Sequence, residues 1–255
     1  MSGPSGPGRD GLTHPQLVGV GVGPGDPDLV TVKAVRVLRE ADLVVVPVSA
    51  QEEEGRAERT VRAHAGHDRI RRTVFALSDR GGVTAARRQA WDDAAQVVAD
   101  ALTGGATTVA FATIGDPNVY STFTYLAAGV RRLVPQLRVT TVPGITAMQA
   151  LAAASGTPLT EGREPLTLVP LTAGLDALEA ALAGGGTVVA YKGGRRTGEV
   201  LDVLARHGRL AGAVLGTDLG LATQAVVPAA SADHHLPYLS TLLVPAVRET
   251  LGGKL

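Results

Sequence analysis

Short β-branched runs recur along this chain at the spacing of βα units. They read LVGVGV at residues 17–22 and LVVVPV at 43–48, with further runs at 72–77, 107–112 and 139–142. Stretches of helical period fall around 85–102, 121–134 and 146–155. In the first interval Val30, Ala34, Val37, Leu38 and Ala41 share one helical face, and Thr31 is a candidate N-cap. A chain built this way buries its strands between helices, which predicts an α/β fold with a mostly parallel five-stranded sheet. Turn formers and charges collect in GTPLTEGREP at 156–165. Beyond it, β-rich runs at 166–170, 188–191, 213–215, 225–227 and 241–244 come with fewer and shorter helices, predicting a second, mixed α/β domain. The expected division is a disordered Gly/Pro/Ser-rich tail at 1–15, a first domain at 16–156 and a second at 157–255, with the active site in the cleft between them. Residues 51–72 are charge-dense with weak periodicity and receive no element.

Composition removes several function classes. Lys+Arg and Asp+Glu are equal at 24 each, so no global positive field exists to hold a nucleic-acid backbone. The absence of cysteine excludes disulfides, thiolate nucleophiles and Cys-ligated metals. No charged segment followed by an apolar one opens the chain, and no apolar run approaches the roughly 20 residues that cross a bilayer. A cytoplasmic protein without membrane contact is expected.

The glycine-rich turn GVGVGPGDPDLVT at 19–31 joins the first strand to the first helix. Missing side chains there let a ligand approach the backbone; a rigid turn without a ligand is the structural alternative. A dinucleotide fingerprint is disfavoured, because Pro24 and Pro27 remove donors that a pyrophosphate would need. FATIGDPNVYSTFTY at 111–125 follows the fourth strand, where open parallel sheets bind ligands, although Asp116 alone could simply cap an Asx turn. VPGITAMQ at 142–149 repeats the pattern of strand end, Pro-Gly and helix, with Thr146 readable as an N-cap.

Taken together, these segments resemble the tetrapyrrole (corrin/porphyrin) methylases. GVGVGPGDPDLVTVKAVRVLREADLVVVP at 19–47 matches that family's opening signature over consecutive positions, and the GDP turn at 115–117 and the VPG turn at 142–144 follow in family order. AYKGGR at 190–195, GTD at 216–218 and PYLSTLLV at 237–244 resemble later family positions, with the departure that many relatives carry Met where Tyr191 or Lys192 stands. The resemblance implies a two-domain tetrapyrrole methylase fold binding S-adenosylmethionine, with S-adenosylhomocysteine as product. Its implied cofactor positions are Pro24, Ile114, Gly115, Asp116, Val119, Ser121, Thr122, Thr146, Ala147, Tyr191, Lys192, Gly216, Thr217 and Thr241. YSTFTYL and PYLS are similar to the branch that methylates carbon 20 of precorrin-2 in cobalamin biosynthesis. Methylation of the cobalt-containing counterpart or of uroporphyrinogen III, the diphthamide-pathway reaction on a protein, and a non-catalytic tetrapyrrole carrier stay open as alternatives. The family also implies a homodimer.

Methyl transfer from a sulfonium requires alignment more than covalent catalysis. A proton must afterwards leave carbon 20, for which Asp116 and Tyr120 are the nearest titratable candidates; a water or a ring nitrogen of the substrate would serve equally. The close histidine pairs, His64/His67 and His234/His235, fit no metal motif, no metal is expected, and no G-x-S-x-G elbow is present. Arg56, Arg59, Arg62, Arg69, Arg71 and Arg72 form either a solvated face or a basic rim for the macrocycle's carboxylate arms.

Overall fold

The structure, a computed structural model, describes residues 14–75, 82–192, 196–232, 237 and 239–248. The expected tail lies outside the described residues apart from its last two positions, as do parts of the 72–77 run, of AYKGGR and of PYLS, and the pair His234/His235.

Among the described residues, ten strands form two five-stranded sheets. The first comprises β1 (Gln16–Gly21), β2 (Leu43–Val48), β3 (Ile70–Val74), β4 (Thr108–Thr113) and β5 (Arg138–Val142), in the spatial order β3-β2-β4-β1-β5 with every pairing parallel. β3 begins two residues earlier than its apolar run, because Ile70 to Val74 pair with Val44 to Val48 of the neighbouring strand. Parallel strands buried on both faces need continuous apolar runs, which β1, β2 and β4 supply.

Helices α1 (Val32–Glu40) and α2 (Arg56–His64) cover one face, packing Ala34, Leu38, Ala57 and Val61 on Val18, Val20, Val44 and Ala110. Thr31 caps α1, its hydroxyl accepting the Ala34 N–H at 3.1 Å. α2 arises in the charge-dense stretch that received no element. A buried carboxylate explains it: Glu58 points inward and accepts hydrogen bonds from Arg62 and Arg72, so an internal ion cluster replaces the missing apolar period. Helices α3 (Ala85–Thr103) and α4 (Phe123–Leu133) cover the other face, burying Ala95, Val98, Leu126 and Val130 against Leu17, Val45 and Phe111.

The second sheet contains β6 (Leu166–Pro170), β7 (Thr187–Tyr191), β8 (Val214–Thr217), β9 (Ala225–Pro228) and β10 (Ser240–Val244), in the order β6-β7-β10-β8-β9. β6 and β7 are parallel; β10 runs antiparallel to both neighbours, and β8 to β9. Helices α6 (Leu175–Ala183) and α7 (Thr197–Arg206) bury Leu178, Leu182, Val200 and Leu204 on one face. The opposite face is covered by α5 (Ala147–Ser155), whose Ala150 and Leu151 pack with Val189, Leu219 and Leu243. The sequence reading grouped this helix with the first five strands, but its apolar side completes the second core.

Candidate functional site

β1 and β4 are neighbours, yet their outgoing chains lead to helices on opposite faces of the sheet. Where connections diverge in this way, a crevice opens beyond the carboxyl ends of the strands. The loops after β1, β4 and β5 fill its floor with closely approaching backbone. Gly115 donates its N–H to the Gly23 carbonyl at 2.8 Å. A side chain at Gly144 would bring its Cβ to 2.1 Å from the Gly115 carbonyl oxygen and 2.7 Å from Gly21 Cα, so only glycine fits there.

Asp116 fastens this floor. It is only 9% exposed; Oδ1 accepts the Asn118 N–H at 2.8 Å, and Oδ2 accepts the Gly144 N–H at 3.0 Å across to the β5 loop. Both carboxylate oxygens are therefore engaged by backbone donors, an arrangement that positions the GDP turn.

The second sheet reaches the same crevice with its own strand ends. Tyr191, at the end of β7, accepts the Met148 N–H at its hydroxyl (3.2 Å), and Thr241 of β10 pairs with both Tyr191 and Gly216. Tyr120 stands edge-on to Tyr191 with centroids 5.7 Å apart, donates to the Leu168 carbonyl at 3.4 Å, and carries the Lys192 ammonium 5.5 Å above its ring. Across the crevice, Arg56 Nη2 meets Asp218 Oδ1 at 2.7 Å.

Among the described residues, three other than glycine have left-handed backbone: Tyr120 at φ 50°, Lys192 at φ 64° and Asp218 at φ 49°. Each lies in a loop at this crevice, and such conformations persist where surrounding contacts enforce them. Burial pushes the phenols of Tyr120 and Tyr191 above their ordinary values, so both stay protonated near neutrality. Burial, with the nearby Arg87 charge, holds the Lys192 ammonium below its ordinary value. The Arg56 hydrogen bond holds Asp218 below the usual carboxylate range.

Pro24, Ile114, Gly115, Asp116 and Tyr120 stand in or beside the loops after β1 and β4, Thr146 and Ala147 between β5 and α5, and Tyr191, Lys192, Gly216, Thr217 and Thr241 at or next to strand ends of the second sheet. Several carry structural duties. Thr146 donates its N–H and its hydroxyl to Gln149 Oε1, both at 2.8 Å, at the start of α5. Gly216 lies against Leu151 and Leu219, and Thr241 is 2% exposed. Val119 stands in the turn that its N–H closes onto the Asp116 carbonyl, while Ser121 donates to Thr113 Oγ1 and Thr122 precedes α4.

Five of the six arginines in the rich segment are engaged, while Arg71 is exposed. Arg62 and Arg72 hold Glu58, Arg69 donates to the Arg39 and Ala41 carbonyls, Arg59 faces Glu54 and Arg56 holds Asp218. The Arg56 contact to Asp218, the Tyr191 hydroxyl on α5 and the Lys192 ammonium over Tyr120 escaped sequence reasoning; each joins segments far apart in the chain, with no local spacing signal. No group of three or more His, Asp or Glu that could hold a metal occurs among the described residues. None of the described helices is long and apolar enough to cross a membrane.

The fold is that of an α/β protein in which a parallel five-stranded sheet is followed by a second, mixed five-stranded sheet. Residues 16–233 match the family of Tetrapyrrole (Corrin/Porphyrin) Methylases. The chain is 35% identical to the cobalamin biosynthesis protein CobIJ of Mycobacterium tuberculosis H37Rv, over 91% of its own length and 46% of the relative's. It therefore spans about half of that relative. It is 33% identical to a precorrin-2 C(20)-methyltransferase of Sinorhizobium, over 92% of this chain and 96% of the relative. Among solved structures, uroporphyrin-III C-methyl transferase from Thermus thermophilus complexed with S-adenyl homocysteine superposes with a TM-score of 0.61 at 23% identity, covering 89% of this chain and 96% of that one. The chain belongs to the tetrapyrrole methylase family, as its loop signature implied.

Proposed function

We propose that this chain transfers the methyl group of S-adenosylmethionine to carbon 20 of precorrin-2 in cobalamin biosynthesis. The observation that carries the reading is the meeting of the loops after β1, β4 and β5 with one another and, through Tyr191, with the second sheet, in a chain that aligns nearly end to end with a relative named for that reaction. The donor brings a methyl group already activated by its sulfonium, and the residues present fit such a nucleoside. The absence of side chains at Gly21 and Gly144 lets the loops after β1, β4 and β5 close on one another, and Tyr191 and Tyr120 offer aromatic faces beside them.

The protein's own contribution is alignment and exclusion of water. Asp116 fixes the GDP turn through Gly144, Thr146 and Gln149 fix the start of α5, and Tyr191 ties that helix to the second sheet. Alignment of this kind contributes on the order of 7–11 kcal/mol to such bimolecular steps. Of the two acid-base candidates, Tyr120 remains protonated near neutrality, and Asp116 accepts one backbone N–H at each carboxylate oxygen. The carbon-20 proton leaves in this reading to Asp116, to water or to a ring nitrogen of the substrate. A homodimer working in the cytoplasm belongs to the same reading, and sedimentation of the purified chain tests the dimer.

The deciding assay incubates the protein with labelled S-adenosylmethionine and precorrin-2, then separately with uroporphyrinogen III, and follows the macrocycle by mass spectrometry. One methyl gained by precorrin-2 alone is expected. Methylation of uroporphyrinogen III, or no transfer to either, overturns the proposal.

A further inference from the structure

Helix α2 is tied at its two ends to loops that leave different sheets. At its first residue the Arg56 guanidinium meets Asp218, in the loop after β8, at 2.7 Å. At its last residue the His64 ring stands 2.8 Å from the carbonyl oxygen of Pro27, in the glycine-rich loop after β1. A carbonyl only accepts, so Nε2 carries the hydrogen and donates it. Between these ends Glu58 fastens α2 to β3 through Arg72.

The two loops also touch each other. A Cβ added at Gly220 would stand 2.5 Å from the Asp26 backbone nitrogen, and one added at Gly25 would stand 3.0 Å from the Leu219 carbonyl oxygen. Main chain of the first sheet's loop thus rests on main chain of the second sheet's loop. The loop after β8 is internally bonded and moves as a unit. Its Leu221 N–H donates to the Asp218 carbonyl at 2.9 Å, its Gly220 N–H to Gln224 Oε1 at 2.8 Å, and its Thr223 hydroxyl to Asp218 Oδ2 at 3.1 Å. The contacts of Arg56 with Asp218, of Gly220 with Gly25, and of Pro27 with His64 therefore close a ring in which α2 is the strut.

We propose that α2 is a brace that sets the spacing between the two sheets for methyl transfer, with Arg56, Asp218 and His64 as its positioning residues. The inference rests on the reading that donor and acceptor are held between loops of both sheets. In-line transfer tolerates little error in distance, and a displacement of about 1 Å costs about a hundredfold in rate. One partly exposed ion pair and one hydrogen bond are weak enough for single substitutions to loosen the brace without unfolding the chain. Arg56 acts in this account through Asp218, and not on a carboxylate of the macrocycle.

The chain contains no cysteine, so spin labels attach only where cysteines are introduced. Lys33→Cys on α1 and Asp202→Cys on α7 are exposed positions that report the distance between the two sheets' helices by pulsed electron paramagnetic resonance. A narrow distance distribution is expected in the labelled parent and a broadened one on addition of Arg56→Ala, Asp218→Asn or His64→Ala. In the unlabelled variants the single-turnover rate with precorrin-2 should fall about tenfold or more, while KM and the affinity for S-adenosylhomocysteine stay within about threefold. Arg56→Lys, which keeps the charge, and His64→Gln, which keeps a donor, should recover part of the rate. Unchanged distances in the three variants overturn the brace, whether or not the protein methylates anything. Broadened distances with an unchanged rate overturn its role in the transfer. A raised KM for precorrin-2 at unchanged rate in Arg56→Ala makes Arg56 a substrate contact and overturns its positioning role. Wild type that methylates neither precorrin-2 nor uroporphyrinogen III overturns the proposed function, and with it the role in transfer, while the distances decide by themselves whether α2 braces the sheets.

Discussion

Arg56 Nη2 lies 2.7 Å from Asp218 Oδ1, joining the first turn of α2 beside the parallel sheet to the loop after β8 in the mixed sheet. Both side chains are less than one third exposed, at 29% and 24%, and Asp218 also accepts the Thr223 hydroxyl at 3.1 Å. The edge-on pair Tyr120 and Tyr191 is a second contact between the loops of the two sheets. The two together fix how far apart the strand ends stand.

Asp218→Asn tests that bridge with little backbone penalty, since asparagine tolerates the left-handed conformation present at Asp218. A loss of about 0.5–2 kcal/mol is expected, as for a hydrogen-bonded ion pair that is only partly exposed. In a double-mutant cycle with Arg56→Gln, the pair should cost less than the sum of the single changes. Additive losses in denaturant unfolding would show that the two groups do not act together.

Gly144→Ala should cost about 2–3 kcal/mol or more, because the new Cβ would meet backbone atoms that no rotamer change can move aside. Chemical denaturation and S-adenosylhomocysteine titration should report the loss together. A variant as stable as wild type would mean that the three loops have room to separate.

Tyr120→Phe is expected to keep kcat within about threefold, since the phenol is protonated near neutrality and its 3.4 Å contact to Leu168 is long for a hydrogen bond. The ring that faces Tyr191 and Lys192 is retained. A hundredfold fall in single-turnover rate would restore Tyr120 as a proton-transfer residue.

Acid should destabilise the protein partly through Glu58. Burial pushes this carboxyl up, but hydrogen bonds from Arg72 and Arg62 outweigh burial, and the net shift is below the ordinary 4.5. A group with a lowered folded pKa contributes stability that is full above its unfolded value and lost as pH falls through the folded one. Stability should therefore drop as pH falls below about 4.5, in wild type more steeply than in Glu58→Gln. At neutral pH Glu58→Gln should itself cost about 3 kcal/mol, because two arginines lose a buried partner. Equal acid limbs for the two proteins would remove Glu58 from this role.

Local chemistry was enough to read much of the architecture. Continuous apolar runs flanked by helical periods announce buried parallel strands, and Thr31 before Val32 announces a cap, because both signals lie within a few neighbouring residues. The loop signature at residues 19–31 and the GDP and VPG turns likewise identified the family from contiguous sequence.

What the sequence could not decide depended on atoms brought together from distant segments. α2 was illegible because an inward carboxylate held by two arginines, rather than an apolar stripe, organises it. α5 follows the fifth strand in the chain, yet its apolar side completes the core of the second sheet. Of the arginines that composition offered to a substrate, Arg56, Arg62, Arg69 and Arg72 were taken by Asp218, Glu58 and backbone carbonyls. Residue type sets what a side chain can bond. Only the packed structure, by satisfying some of those groups and leaving others unsatisfied, determines which remain for a ligand.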